Sequence, residues 1–289
     1  MRGKHASAPK PDRRGRRLWG VVFWLALAVC IVAVSVLGFI FYSYWSAEKG
    51  YDDLAGKAFD AQDVSGTTLA DMTVDWDYLR SVNGDVVAWV YVPGTNINYP
   101  VVQTGDNETY LTMDFNQSNG FSARCGSIFL DCNNDPGFAD ANNLLYGHHM
   151  NDGSMFAAIS KQLTDEAQFN ACRYVYVLTP DCNYQCETFA LVITDGWDAL
   201  VETEFPSDDE RIAYIADKQE RSVVQPSEGM PDPASIEKMI TLSTCDYTKD
   251  NGRAVLFSQV VSTAVPGGSG GAAVDQADID SMRDAGEAV

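Results

Sequence analysis

The chain has 289 residues, 46% hydrophobic and 21% charged, which excludes a fibrous or wholly disordered protein and leaves enough apolar side chain for a sizeable core. Its formal net charge is -20, and seven of its 20 Lys and Arg stand before residue 18, so the remainder is more acidic than the whole. Such a chain repels polyanions, which excludes nucleic-acid binding.

Those seven are Arg2, Lys4, Lys10, Arg13, Arg14, Arg16 and Arg17, with Asp12 their one acidic neighbour. Residues 21–41, VVFWLALAVCIVAVSVLGFIF, carry no charge. At about 1.5 Å of rise per residue a helix of that length crosses a hydrocarbon core of about 30 Å. The basic head puts the N-terminus in the cytoplasm and the rest outside, with Trp19, Trp24, Tyr42, Tyr44 and Trp45 suited to the interfacial belts. A cleaved signal peptide is the competing reading, but the stretch exceeds the usual apolar core of about 7–15 residues and no clean A-x-A site follows.

Residues 46–82 carry apolar positions at mixed helical spacing and predict one or two short helices that pack on the following domain. From Asp85 the pattern changes to eight short apolar runs bounded by turn residues: VVAWVYV, INYPVV, SIFLD, NLLYG, YVYVLT, TFALVI, MITLST and AVLFSQVV. Their β-branched and aromatic content predicts a mainly β domain, a barrel or a sandwich. Helices are expected at about 107–114, 154–163 and 208–220. The last lies in a connection too long for an ordinary loop, which points to a structured insertion beside a functional face. Beyond Val261 the chain is rich in Gly, Ala and Asp and is expected to be a disordered tail. The expected divisions are a basic cytoplasmic segment 1–20, an anchor 21–43, a helical membrane-proximal segment 44–82, the β domain 83–262 and the acidic tail 263–289.

Of the seven cysteines, Cys30 lies in the span and Cys125, Cys132, Cys172, Cys182, Cys186 and Cys245 lie beyond it, on the side where oxidation is permitted. At least one disulfide is expected among Cys125, Cys132, Cys172, Cys182 and Cys186, with Cys172 to Cys186 across a hairpin ladder the favoured pairing and Cys245 left free. No C-x-x-C unit occurs, so neither a metal nor another cofactor is expected.

Beyond the span the only imidazoles are the adjacent His148 and His149 in LLYGHHM. Neighbouring side chains at a strand end point to opposite faces, so one of them at most enters a given site. The pair can equally serve only to cap a strand end. In MITLSTCDY, Cys245 ends an apolar run just before a polar turn, where a nucleophile meets solvent rather than core. Arg253 opens the next run, RAVLF, and a hairpin would return it beside Cys245, where a guanidinium can hold a carbonyl or a developing oxyanion. A surface cation at a strand edge is the bland alternative.

TLSTC at a strand end, an Arg opening the following strand and YGHHM upstream together resemble the sortase family, specifically its class B, over roughly residues 74–262. Sortases are cysteine transpeptidases of Gram-positive bacteria built on an eight-stranded β-barrel. They cleave a C-terminal sorting motif of a secreted protein and join it to an amine of peptidoglycan precursor. The resemblance implies His148, Cys245 and Arg253 as catalytic residues, and Asn107 and Leu111 of DNETYL with Ser243 of TLSTC as peptide contacts. It also matches the expected helix at 208–220 to a long class B helix. The extra cysteines depart from the family. The alternatives are a membrane-bound cysteine endopeptidase using water, a pilin-polymerising sortase, and an anchored adhesion domain without catalysis. DPG at 135–137 lacks the aromatic of a pilin-type lid motif, which counts against the second of these.

Overall fold

The computed structural model of the chain describes residues 13–59, 68–118, 125–196, 202–246 and 251–268, so the expected tail lies outside the described residues from position 269 on. Two compact units divide the chain, Met1–Ser46 and Ala47–Val289. Helix α1 (Arg13–Ala58) begins in the first unit and its residues 47–58 belong to the second; its stretch Val21–Tyr42 is, among the described residues, the one helix long and apolar enough to cross a membrane.

In place of separate short helices after the span, α1 continues to Ala58. No proline interrupts it, and Gly50 and Gly56 each cost only about 1 kcal/mol relative to Ala. Tyr51, Leu54 and Ala58, at helical spacing and themselves part of the second unit, are buried. A 3-10 turn (Leu69–Asp71) and helix α2 (Trp76–Val82) follow. The Asp75 carboxylate caps α2 by accepting from the Tyr78 N–H at 2.9 Å.

The eight apolar runs are eight strands: β1 (Val86–Tyr91), β2 (Asn98–Val102), β3 (Ile128–Leu130), β4 (Asn142–Tyr146), β5 (Tyr174–Leu178), β6 (Asn183–Asp195), β7 (Met239–Asp246) and β8 (Gly252–Ala264). They close into a barrel in the order β1-β2-β3-β4-β7-β8-β6-β5, which decides for a barrel over a sandwich. Two pairings, β2 with β3 and β4 with β7, are parallel, and the others are antiparallel. The strands read as continuous apolar runs rather than alternating ones because covered strands are buried on both faces.

Helix α6 (Asp208–Glu220) supplies part of that cover: Tyr214 and Ile215 pack with Phe189, Val192, Val255 and Phe257. Its N-cap, Ser207, accepts from the Glu210 N–H, and three acidic residues in its first turn complement the helix dipole. Helices α3 (Thr109–Thr112) and α4 (Ala157–Lys161) fall within the expected segments. Helix α5 (Glu166–Ala171) was not anticipated, although its cap is legible: the Asp165 carboxylate accepts from the Ala167 and Gln168 N–H groups.

The expected disulfide does not form: Cys125, Cys132, Cys172, Cys182 and Cys186 are all free thiols. The β5–β6 ladder sets Cys186 opposite Val175, whereas Cys172 sits at the C-cap of α5, before β5 begins. Strand β3 stands between Cys125 and Cys132, and both thiols are free.

Candidate active site

Strands β4 and β7 run side by side in parallel, with Tyr146 in register with Ser243. The Gly147 N–H adds one more rung, donating to the Ser243 carbonyl at 3.1 Å. A side chain at Gly147 would collide, since a Cβ there would stand 2.5 Å from Ile128 Cδ1 and 2.6 Å from Phe156 Cδ2. The chain then turns, and the two histidines part.

His148 is half-buried, and its Nε2 lies 2.6 Å from the Leu111 carbonyl, which can only accept, so Nε2 carries the proton of this bond. The His148 carbonyl takes the Phe156 N–H at 2.9 Å. His149 is 7% exposed, with Nδ1 2.8 Å from Ser160 Oγ, and its backbone bridges to Met155. One ring therefore faces α3 and the other is tied into α4.

Strands β7 and β8 form the hairpin expected from the sequence, and their register sets Cys245 opposite Arg253. The Cys245 side chain lies outside the described set. Arg253 is half-buried and donates from Nη1 to the Gly252 carbonyl at 3.0 Å. Beside this hairpin opens a cavity of about 200 Å³. His148, Arg253, Asn107, Leu111 and Ser243, five of the candidates, drawn from four separate stretches of sequence, line it. Leu111, 40% exposed, offers an apolar wall, and Phe129 and Tyr146, with ring centroids 5.2 Å apart, offer another. Thr244 also lines the cavity, and its buried hydroxyl has no hydrogen-bond partner among the described residues.

Sequence reasoning missed Asp131, which orders this wall. Its Oδ2 accepts from Asn107 Nδ2 at 3.0 Å and from the Tyr146 hydroxyl at 3.1 Å, while its Oδ1 takes the backbone and side-chain N–H groups of Asn133. Asn107 Oδ1 in turn accepts the Cys132 N–H at 2.8 Å. The only signal was an acidic residue closing the apolar run SIFLD. Burial, then the charge of Asp131, pushes the Tyr146 phenol well above its ordinary ionisation range, with Arg253 opposing, so it remains a donor. Among the described residues no group of three or more His, Cys, Asp or Glu side chains is placed to hold a metal ion.

A half-buried imidazole, a guanidinium and a cysteine-bearing strand around a partly apolar cavity suit acyl transfer on a peptide. The family model described as the Sortase domain matches residues 90–261. The chain is 36% identical over 188 residues to Sortase B of Listeria monocytogenes, covering 64% of this chain and 73% of that protein. The X-ray structure of Clostridium perfringens sortase B is similar at 32% identity and a TM-score of 0.59, covering 64% of this chain and 98% of that one. Sortase B of Bacillus anthracis, solved in complex with AAEK1, is similar at 30% identity and a TM-score of 0.64, covering 76% and 99%.

Proposed function

Since the chain belongs to the sortase family, on its class B branch, and is therefore a cysteine transpeptidase of the cell-wall-anchoring type, we propose that Cys245, His148 and Arg253 perform its chemistry on a sorting peptide held along Asn107, Leu111 and Ser243. It is a single-pass membrane protein with its barrel on the extracellular side. In this reading residues 1–20 stay in the cytoplasm, 21–43 anchor the chain, 44–82 form the membrane-proximal helical segment, and 83–262 form the catalytic domain. The observation that carries the reading is the β7–β8 register, which pairs Cys245 with Arg253 beside a cavity that His148 also lines.

An ordinary thiol ionises near pH about 8.5 and is mostly protonated at neutrality, so attack needs a base or a stabilised thiolate. His148 is the imidazole at the cavity, and its proton on Nε2 is directed to the Leu111 carbonyl until substrate arrives. The Cys245 thiol passes its proton to His148 as its sulfur attacks the scissile carbonyl carbon, and Arg253 holds the tetrahedral oxygen. His148 protonates the departing amine as the C–N bond breaks, leaving a thioester. An amine of peptidoglycan precursor then attacks that thioester, His148 takes its proton, and the new amide leaves the thiol free. The anchor confines enzyme and a membrane-bound acceptor to one surface, raising their effective concentration.

The test uses the full chain in lipid nanodiscs with a sorting peptide, with and without added amine. Mass spectrometry should find the amide only when amine is present, and Cys245→Ala should abolish both cleavage and the thioester. Hydrolysis at an equal rate in both conditions would assign a cysteine endopeptidase, and turnover by Cys245→Ala would overturn the nucleophile.

A further inference from the structure

We propose that Tyr51, on the part of α1 beyond the span, is a positioning residue for the active site: its hydroxyl holds the segment that carries Leu111 and, through the Leu111 carbonyl, the ring of His148. The proposal rests on the role given to His148 above.

Tyr51 is buried, and its hydroxyl is enclosed by a single segment, the connection between α3 and β3. It donates to the Gly126 carbonyl at 2.8 Å, accepts from the Phe115 N–H at 3.2 Å and lies 3.4 Å from Ser127 Oγ. One phenol therefore ties both ends of that connection together. The connection is tied in turn to α3: the Ser127 N–H donates to the Tyr110 carbonyl and the Ser127 hydroxyl to that of Met113, each at 3.0 Å. Gly126, at φ +57, lies so close that a Cβ on it would stand 2.6 Å from the Tyr110 carbonyl oxygen and 2.8 Å from that of Leu111. The Leu111 oxygen is the one that accepts from His148 Nε2.

A second route leaves from the ring rather than the hydroxyl. Tyr51 meets Tyr99 edge to face, with centroids 5.5 Å apart. The Tyr99 hydroxyl accepts the Met155 N–H at 3.0 Å, Met155 bridges to His149, and the next residue, Phe156, donates its N–H to the His148 carbonyl. Ring and hydroxyl thus reach the two sides of His148 by separate chains of contacts. A tyrosine serving only as core filler would need the ring alone. Here the hydroxyl satisfies a buried N–H and a buried carbonyl that would otherwise each lose a partner.

The hydroxyl route can be tested with the ring route left in place. Tyr51→Phe keeps the ring contact with Tyr99 and removes only the hydroxyl; Gly126→Ala leaves Tyr51 intact and presses directly on the Leu111 carbonyl. Both are made in the full chain in nanodiscs and followed by thermal melting, by hydrogen exchange of the 110–118 amides, and by kcat and KM on the sorting peptide. Both variants should melt cooperatively and exchange faster at 110–118. Both should lose about 10- to 100-fold in kcat/KM, the scale of an ångström-level misplacement. The loss should appear in kcat as well as KM, because the His148 ring moves with the Leu111 wall. If exchange at 110–118 does not change, or kcat/KM stays within about twofold, the proposal fails. Loss of cooperative melting by Tyr51→Phe would make Tyr51 a core residue only, and a silent Gly126→Ala would overturn the link from this segment to His148 on which the proposal rests. Absence of transpeptidation by the unaltered chain would instead sink the assigned function, while the exchange measurement would still decide whether the tie exists.

Discussion

Gly147→Ala asks how much room the turn before His148 has. The added methyl would stand 2.5 Å from Ile128 Cδ1 and 2.6 and 2.7 Å from two ring carbons of Phe156, against an ordinary carbon contact of about 3.5–4.0 Å. The Ile128 methyl is the end of a flexible side chain and can rotate away. The Phe156 ring is fully buried and must retreat by about 1 Å, which places the change among overpacked cores at about 1–3 kcal/mol. For a domain of this size that lowers Tm by roughly 2–4 °C per kcal/mol. The retreat carries a second effect, because the Phe156 N–H holds the His148 carbonyl at 2.9 Å and moves with its ring. Activity should therefore fall beyond what lost stability explains, by about 10- to 100-fold in kcat/KM measured well below Tm. Calorimetry on the full chain and steady-state kinetics on a sorting peptide read the two effects separately. A Tm within about 1 °C of the unaltered chain, with kcat/KM within about twofold, would refute the account of Gly147 as a glycine required for space.

His148→Ala should reduce kcat/KM by roughly 10²–10⁴-fold, the usual worth of a general acid or base, whereas His149→Ala should chiefly lower Tm by removing its bond to Ser160. The reverse pattern would shift the catalytic histidine by one residue. Asp131→Asn replaces an acceptor of four hydrogen bonds with a group whose NH₂ accepts none, so Tm should drop by the equivalent of about 1–3 kcal/mol and KM should rise as Asn107 and Tyr146 lose their tie; an unchanged KM would show that this tie does not order the groove. Burial pushes Cys125 up to about 12, Cys172 up to about 11 and Tyr110 up to about 12, so the folded chain keeps protons that the unfolded chain releases. Stability should therefore be intact below the ordinary thiol range of about 8.5 and decline as pH rises through it towards 11–12, and a Tm that stays constant from pH 8 to 11 would contradict this.

The sequence made the strands and the span legible because each is a local pattern: an uncharged stretch, eight apolar runs, and turn residues between them. The hairpin of β7 and β8 was also legible, since a short polar turn separates two runs, and it set Arg253 against Cys245. The parallel pairing of β4 with β7 was not, because no local signal marks two runs separated by two strands and a long insertion. Asn107, Leu111 and Ser243 came from the family resemblance, and the side-by-side placement of their strands and loops is what collects them around one cavity. Asp131 and Tyr51 escaped because their importance lies in what they touch: a carboxylate at the end of one apolar run and a phenol on a helix look ordinary until α3 and the connection to β3 are seen between them. The misplaced disulfide had the same origin, since cysteine spacing carries no register and the ladder sets Cys186 against Val175.

The parallel β4–β7 pair also bears on when the enzyme comes into being during synthesis. The bond between the Thr241 hydroxyl and Asn142 closes 99 residues of chain, and the cavity exists only once β7 has docked on β4. Such distant pairings form late and slowly, on a scale of milliseconds to seconds for β topologies. A chain threading outward behind its anchor delivers His148 long before Cys245 and Arg253, so the thiol proposed as the nucleophile emerges on the same strand, β7, that completes the cavity. On the roles proposed for Cys245 and Arg253, the β7–β8 hairpin is the last part of the site to be put in place.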